Sequence, residues 1–266
     1  MKRQQSVGLV VEGNATSSAV LRLPSILDEL GPVKAGVQRV ARRLCNFLGA
    51  GYPIGSYDDL QVARLVLLRV PDESVPRFVE ELATSSLVLK DLLFVLCESC
   101  MGSDVLAPLA ERGAGTATLV GFPTPRKRWF VVEGQMATVR QIRRLLDRGD
   151  SRVFELKQGA KSLYLAAQLL ATGAPTHLMG SAQQALRRAG IKGNHLHEFL
   201  EEMSLEMFRS FSNGARFTWP GARAGCLPHT IDGYLDDLRT RHPEIAADLE
   251  EQLLLAARRS ELRRSD

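Results

Sequence analysis

The chain lacks the features that mark membrane, secreted and metal-binding proteins. No apolar run approaches the roughly 20 residues that a membrane span requires. The basic N-terminus leads into a strand-like segment without a small-residue cleavage site, so we expect no signal peptide. Four cysteines among 266 residues are too few for a disulfide scaffold and favour free thiols in a reducing cytoplasm. No group of histidines and cysteines has metal-ligand spacing, so no metal site is expected.

The chain also has little excess of charge of one sign. The formal net charge is +4, and aromatic residues make up 6% of the chain. Arginines occur in dispersed clusters, and the basic tail at 258–264 includes an acidic residue. A nucleic-acid surface usually has one basic face interleaved with aromatic side chains. We therefore expect solvated faces rather than a nucleic-acid site.

Short apolar runs alternate with helical segments in the first half of the chain, which predicts an α/β fold with a mostly parallel sheet. After about residue 157 the strand-like runs disappear and only helical segments follow. We therefore predict a Rossmann-like domain at 1–152 and an all-helical domain at 153–266. The predicted strands are 7–11, 33–38, 63–70, 92–97, 116–122, 129–133 and 153–156. The predicted helices are 17–30, 40–48, 75–84, 103–112, 137–147, 157–172, 176–189, 193–213, 229–240 and 243–264.

The turn after the first strand is the best candidate for a cofactor site. The three glycine positions of a dinucleotide-binding turn are occupied by Val11, Gly13 and Thr16, so only the middle glycine is kept. In the functional interpretation, Gly13 lets the backbone approach a pyrophosphate. The amides that would then bind the anion belong to Asn14, Ala15 and Thr16. In the alternative, the turn only joins strand to helix, Val11 packs in the core and Glu12 repels phosphate.

Two other strand ends contribute to this hypothesis. The end of the second strand offers Arg39 and no acidic residue, which favours NADP over NAD. The alternative is that Arg39 lies on the solvent-exposed face of a helix. Val70 and Pro71 end a central strand beside the crevice where such folds bind ligands. The competing interpretation assigns Pro71 and Asp72 to capping the next helix.

Several motifs together resemble a bacterial family that joins a Rossmann-like domain to a helical domain of unknown function. That family is related to the 6-phosphogluconate dehydrogenase, β-hydroxyacid dehydrogenase and pyrroline-5-carboxylate reductase group. The motifs occur in the family's order over roughly residues 6–245. They are Val70-Pro71-Asp72, Gly102-Ser103-Asp104, Phe130-Val131-Val132-Glu133-Gly134, Lys161-Ser162-Leu163-Tyr164, Ala189-Gly190-Ile191 and Trp219-Pro220-Gly221-Ala222-Arg223.

The resemblance implies roles for individual residues. Lys161 would polarise the substrate, with Tyr164 one helical turn away on the same face. The residues implied to line the substrate site are Cys97, Glu98 and Arg223. It also implies a homodimer built by the helical domain.

The chain departs from the family at several polar positions. Glu98 and Ser99 stand where the family tends to have Ser-Gly. A histidine and an asparagine usual in the first helix of the helical domain are replaced by Leu165 and Gly173. Both the cofactor turn and the substrate site are therefore expected to be eroded.

Three functions follow from these observations. The first is an NAD(P)-dependent oxidoreductase-like protein that acts on a small anionic or carbonyl substrate. The second is a catalytically inactive relative that binds a nucleotide or metabolite, or binds nothing. The third is a dimeric interaction protein whose helical domain and basic tail contact a partner.

Overall fold

The computed structural model of the chain describes residues 6–13, 18–123, 128–147, 151–213 and 228–262. The chain divides into two compact units, Met1–Ala166 and Ala167–Asp266. The first unit contains the sheet, and the described part of the second unit is helical.

The described residues of the first unit form an eight-stranded sheet of order β3-β2-β1-β4-β5-β6-β7-β8. Strands β1 to β6 are parallel, β7 is antiparallel to β6, and β8 is parallel to β7. This arrangement confirms the predicted α/β fold class with a mostly parallel sheet. The strands are β1 Val7–Val11, β2 Leu30–Ala35, β3 Tyr52–Pro53, β4 Leu65–Arg69, β5 Leu93–Cys97, β6 Gly115–Pro123, β7 Arg128–Gly134 and β8 Ser151–Glu155.

The α-helices lie between the strands in the first unit and follow one another in the second. Those of the first unit are α1 Pro24–Glu29, α2 Gln38–Leu48, α3 Val75–Thr84, α4 Ala107–Glu111 and α5 Met136–Leu146. Helix α6, Lys161–Gln168, spans the division and continues into a π-helical segment, Leu169–Gly173. The second unit adds α7 Ala174–Arg188, α8 Asn194–Ser212, α9 Pro228–Arg241 and α10 Pro243–Leu262. No helix in the described residues is both long enough and apolar enough to cross a membrane.

The central strands are buried on both faces, which explains their continuous apolar sequences. In β4, Leu65 and Leu67 join one hydrophobic cluster, while Val66 and Leu68 join the cluster on the opposite face. Successive side chains of a strand point to opposite faces, so a strand covered on both sides needs apolar residues throughout. The predictions at 63–70 and 92–97 succeeded for this reason.

The segment between β1 and β2 differs from the prediction. In place of one helix at 17–30, the chain forms a 3-10 turn at Val20–Arg22 and a short helix α1. Pro24 has no N–H to donate, and a fixed φ suits it to the first turn, so the α-helix begins there. Strand β2 then starts at Leu30 instead of residue 33.

A similar division affects the predicted helix at 103–112. The structure has a 3-10 turn at Ser103–Leu106, followed by α4. Pro108 lies in the first turn of α4, which again suits the start of a new helix. Strand β3 has only two residues, too few for a sequence pattern, and was not predicted.

Gly134 ends β7 where no other residue fits. Its φ is +150°, and a Cβ there would lie 2.5 Å from both the Ala117 Cα and the Thr116 carbonyl oxygen. Both contacts are with backbone, so they cannot be relieved by a side-chain movement. We expect Gly134→Ala to lower the free energy of unfolding by at least about 2 kcal/mol in chemical denaturation.

Gly36→Ala is the matched control for this substitution. A Cβ at Gly36 meets no atom within 4 Å. It is expected to change stability by less than about 0.5 kcal/mol. Equal stability of the two variants would contradict the assignment of Gly134 to a backbone contact.

Candidate functional site

Parallel strands place the candidate site at their carboxyl ends. From β1 the chain passes to β2 and β3 on one side of the sheet. It then crosses to β4 on the other side of β1, so the strand order reverses between β1 and β4. Open α/β sheets bind ligands in the crevice outside the strands at this point. The loops that follow β1, β4 and β5 therefore define the candidate site.

Gly13, in the turn after β1, lies next to Pro71, in the loop after β4, where the strand order reverses. Gly13 has φ +70°, in the left-handed region that favours glycine, and a Cβ there would lie 3.5 Å from Pro71 Cγ. The side chain of Val70 is buried in the core, so only its backbone faces the crevice. Val11 is also buried in the core, as expected of a residue that replaces the first glycine. Asn14, Ala15 and Thr16 lie outside the described residues.

Glu12 is paired with a cation of the protein. Its Oε1 lies 2.8 Å from Arg77 Nη2, and the same guanidinium lies 3.1 Å from Glu81 Oε1. A hydrogen bond with the Ser74 side chain, and secondly Arg77, hold the pKa of Glu12 below its ordinary value despite opposing desolvation. Repulsion of a phosphate by Glu12, expected from the sequence, is therefore reduced but not cancelled, because one cation serves two carboxylates.

Glu98 turns back toward the segment that follows the glycine turn. Its Oε1 accepts the N–H of Ala19 at 2.6 Å and that of Val20 at 3.5 Å. Its Oε2 lies 2.9 Å from Arg69 Nε, an ion pair whose alignment does not make a hydrogen bond. Glu98 has φ +56°, which costs an ordinary residue roughly 1–2 kcal/mol. The fold thus holds the Glu98 carboxylate near the turn after β1. An anionic ligand would compete with it for the N–H groups of Ala19 and Val20.

Asp72 does not cap the helix that follows it. Its Oδ2 accepts the N–H of Cys100 at 2.9 Å, which joins the loops after β4 and β5. Pro71 is the N-terminal flanking residue of the 3-10 turn Asp72–Ser74, without a side-chain capping bond. The capping interpretation is therefore wrong for Asp72, because its carboxylate is used across the crevice.

Cys97 ends β5 with a fully buried side chain. Burial raises the pKa of its thiol strongly, and Glu98 adds to that effect. The Sγ contacts the Val95 carbonyl oxygen at 3.5 Å. Cys97 and the exposed Cys100 are both free thiols. Cys97 therefore shapes the floor of the site as a small apolar group rather than as a thiolate.

Glu133, near the end of β7, was quoted as part of a motif but not assigned to the site by the sequence. Its side chain is 1% exposed. Oε2 accepts the N–H of Ser103 at 2.9 Å, and Oε1 accepts the Ser103 hydroxyl at 3.0 Å. Oε1 also accepts the N–H of Gly159 at 3.0 Å. The one signal in the sequence was a charged residue that ends an apolar run.

Lys161 begins α6 and belongs to the same unit as the sheet. It is 3% exposed, and its Nζ has no hydrogen-bond acceptor among the described residues. Burial lowers the pKa of Lys161, while the charges of Glu133 and Asp72 act in the opposite direction. An ammonium carries three donors, and buried polar groups are nearly always hydrogen-bonded. Lys161 is thus ready to donate to an acceptor supplied by a ligand.

The remaining predicted residues are less central. Tyr164 follows Lys161 on α6 and is partly buried, which raises the pKa of its hydroxyl. Arg39 is exposed in the first turn of α2, after the carboxyl end of β2. Arg223 lies outside the described residues. The structure thus brings together Gly13, Val70, Pro71, Cys97, Glu98 and Lys161 at the carboxyl edge of one sheet.

Two family models match the sequence in succession. A Rossmann-like domain matches residues 6–120, and the domain of unknown function DUF2520 matches residues 128–226. The chain therefore contains a Rossmann-like domain followed by a DUF2520 domain. This confirms the resemblance drawn from its motifs. No functionally curated protein matched the sequence.

Solved structures share the fold of this Rossmann-like–DUF2520 chain at low sequence identity. Protein TM1727 from Thermotoga maritima is 17% identical with a TM-score of 0.65, covering 96% of this chain and 99% of its own. A putative NADP oxidoreductase, BF3122 from Bacteroides fragilis, is 14% identical with a TM-score of 0.68, covering 94% and 96%. An imine reductase from Myxococcus stipitatus, solved in complex with NADP+, is 13% identical with a TM-score of 0.66, covering 95% and 94%. The chain therefore shares the fold of these proteins.

The side chains of the site do not form a metal centre. Among the described residues, no group of three or more histidine, cysteine or acidic side chains is arranged to hold a metal ion.

Proposed function

We propose that the protein is an NAD(P)-dependent oxidoreductase that reduces a small carbonyl or imine substrate at the carboxyl edge of the sheet. The observation that carries the proposal is Lys161, a buried amine without an acceptor among the described residues, next to the loops after β4 and β5. Solved structures of the same fold include an imine reductase in complex with NADP+ and a reductive aminase in complex with NADPH.

The described residues fit a dinucleotide at the first turn. Gly13 has a left-handed backbone with no atom closer than 3.5 Å to the position of a Cβ. The charge of Glu12 is partly offset by Arg77, which also pairs with Glu81. Gly13 and the backbone of Val70 and Pro71 would hold the cofactor, with Asn14, Ala15 and Thr16 as further candidates. Bound there, NAD(P)H would supply a hydride.

Lys161 is the group that acts on the substrate in this proposal. Its Nζ donates a hydrogen bond to the carbonyl oxygen or imine nitrogen, which makes the adjacent carbon more electrophilic. As negative charge develops on that oxygen or nitrogen, Lys161 transfers the proton held at Nζ. Burial lowers the pKa of Lys161 toward neutral pH. An amine with a lowered pKa gives up its proton more readily.

The activity is tested with purified protein, NADPH and two probes. The probes are dibenz[c,e]azepine and ethyl 5-oxohexanoate, which are named in complexes of two neighbours from Aspergillus terreus. Loss of NADPH absorbance that depends on either probe supports the proposal. Saturable NADPH binding without turnover of either probe would favour the alternative of a nucleotide-binding relative.

Arg39 is proposed to give a preference for NADP over NAD. It is exposed near the start of α2, where a guanidinium can reach a ribose phosphate. We expect Arg39→Ala to weaken NADPH binding about tenfold, because one charge-assisted contact is lost, and to leave NADH binding unchanged. Fluorescence titration of both cofactors measures this effect. Arg140→Ala, an exposed arginine on α5, is the matched control, and an equal loss in both variants would contradict the assignment.

The helical unit is proposed to form a homodimer. Helix α8 exposes large apolar side chains in the described structure, half or more of each in most cases: Phe199, Met203, Phe208 and Phe211. Such an exposed apolar surface is unusual on a monomer and typical of an interface. Light scattering after size-exclusion chromatography should give twice the chain mass, and Phe208→Glu should give the monomer. A monomeric wild-type protein would contradict the proposal.

A further inference from the structure

Glu133 and Lys161 share a property that no other charged residue has in the described part of the chain. They are the two charged side chains there with less than a tenth of their surface exposed, at 1% and 3%. They have opposite charge, and Glu133 is the first of the acidic groups that act on Lys161. Burying one charge is costly unless an opposite charge compensates it. A pair of this kind in a site requires an explanation beyond packing.

The carboxylate of Glu133 is fixed from three directions. The N–H and hydroxyl of Ser103, from the loop after β5, each donate to one of its oxygens. The hydroxyl of Thr118, from β6, lies 3.5 Å from Oε2. The N–H of Gly159 donates from the turn that leads into α6. These donors hold the carboxylate in one orientation.

The bond from Gly159 connects Glu133 to the position of Lys161. Gly159 precedes Lys161 by two residues and has φ +78°, so the turn at this point needs a glycine. Glu133 thereby holds the start of α6 against the end of β7. The same carboxylate fixes the backbone that carries Lys161, and it is the first of the negative charges that act on the amine, without accepting a hydrogen bond from it.

We propose that Glu133 is a positioning residue, which holds Lys161 at the carboxyl edge of the sheet and keeps its amine protonated for transfer to the substrate. This inference rests on the proposed function of Lys161. Glu133 itself does not touch substrate or cofactor in the proposal. It acts through Lys161.

The other groups that face Lys161 do not fill this role. Asp72, from the loop after β4, also favours the protonated amine, but its carboxylate accepts the N–H of Cys100. Cys97 has a buried thiol whose pKa is raised, so it stays neutral. Cys100 is exposed in the loop after β5. Glu133 is the buried, fully hydrogen-bonded anion of the set.

The test is the ionisation of Lys161, measured in the full chain without cofactor or substrate. Lysine labelled with ¹³C at Cε is titrated by NMR, and the Lys161 signal is assigned by its loss in Lys161→Met. In Glu133→Gln we expect Lys161 to titrate at a lower pH than in the wild type. Glu155→Gln, an exposed carboxylate of β8 paired with Arg143, is the matched control and should leave that titration unchanged. An unchanged titration in Glu133→Gln overturns the proposal.

A second measurement covers the case in which Glu133→Gln does not fold. The substitution is then made together with Lys161→Met. Recovery of folding in the double variant supports the proposal, because the defect then arises from an uncompensated Lys161. Failure of the double variant to fold overturns it, because Glu133 would then act only through Ser103 and Gly159.

Turnover separates this inference from the proposed function. With NADPH and dibenz[c,e]azepine as probes, Glu133→Gln should lower kcat on the alkaline side of the pH profile, where Lys161 of the variant has lost its proton and that of the wild type has kept it. The KM for NADPH should stay the same, and the pH profile should move toward lower pH. If the wild type turns over neither probe while the Lys161 titration still shifts, the proposed function fails and the coupling of Glu133 to Lys161 stands.

Discussion

Lys161→Met is expected to reduce kcat/KM for NADPH-dependent reduction of dibenz[c,e]azepine by about two to four orders of magnitude, the usual contribution of a general acid. Methionine has a similar length but no proton to donate. NADPH binding should stay within about twofold, because the residues proposed to hold the cofactor surround Gly13 rather than Lys161. Steady-state kinetics and fluorescence titration measure the two effects separately.

The same substitution should not destabilise the protein at neutral pH. Lys161 is buried without an acceptor among the described residues, and an apolar replacement removes that desolvation cost. The folded-state pKa of Lys161 is lowered from 10.5, so the unfolded chain holds the proton over a range where the folded protein has lost it. The stability contributed by Lys161 is therefore complete above about pH 10.5 and is lost as the pH falls through the lowered value.

We expect the wild type to gain stability relative to Lys161→Met as the pH rises toward 10.5, measured as the difference between their free energies of unfolding. Lys157→Met is the control, because Lys157 is exposed four residues earlier in the chain. A Lys161→Met variant with full activity would remove Lys161 from the mechanism. A difference in stability that does not vary with pH would contradict the burial of its amine.

Glu133→Ala is expected to lower the free energy of unfolding by about 3–5 kcal/mol, because several donors inside the protein lose their acceptor, at about 1–3 kcal/mol for each buried one. The N–H and hydroxyl of Ser103 and the N–H of Gly159 lose their acceptor inside the protein. The amine of Lys161 also loses the carboxylate that compensates it. Urea denaturation measures the loss of stability.

The control for Glu133→Ala is Glu155→Ala, which removes an exposed ion pair with Arg143. It should change stability by less than about 1 kcal/mol, as is usual for surface pairs. Comparable effects of the two substitutions would mean that Glu133 is not an essential buried charge. That result would also weaken the case for its action on Lys161.

The fold could be predicted from the sequence because burial determines the strands of this sheet. Strands β4 and β5 are covered on both faces, so their sequences are apolar throughout and their positions were predicted within two residues. The region between β1 and β2 was predicted poorly, because Pro24 divides one helical pattern into a 3-10 turn and α1. Two-residue β3 leaves no pattern at all.

The site was predictable only in part. Gly13 and Lys161 were found from a turn motif and a family resemblance, and the structure places both at the carboxyl edge. The partners of Glu98 and Glu133 could not be predicted, because they lie far away in the sequence. Glu98 binds the amide of Ala19 only because its own backbone adopts a positive φ, which no local pattern indicates for a glutamate.

The erosion of the cofactor turn also has a different meaning in three dimensions. Val11, which replaces the first glycine, fills core space and is compatible with a bound anion. The carboxylates of Glu12 and Glu98 both lie near this turn, where Arg77 is shared by Glu12 and Glu81 and Arg69 pairs with Glu98. Binding of a dinucleotide therefore depends on how far these arginines offset the carboxylates beside the open backbone at Gly13.

The most direct test of the account is a calorimetric titration of NADPH into the wild-type protein. The account predicts saturable binding at one site per chain, with a weaker response in Arg39→Ala. Absence of any saturable heat with millimolar NADPH would contradict the proposal that the carboxyl edge of the sheet is a cofactor site.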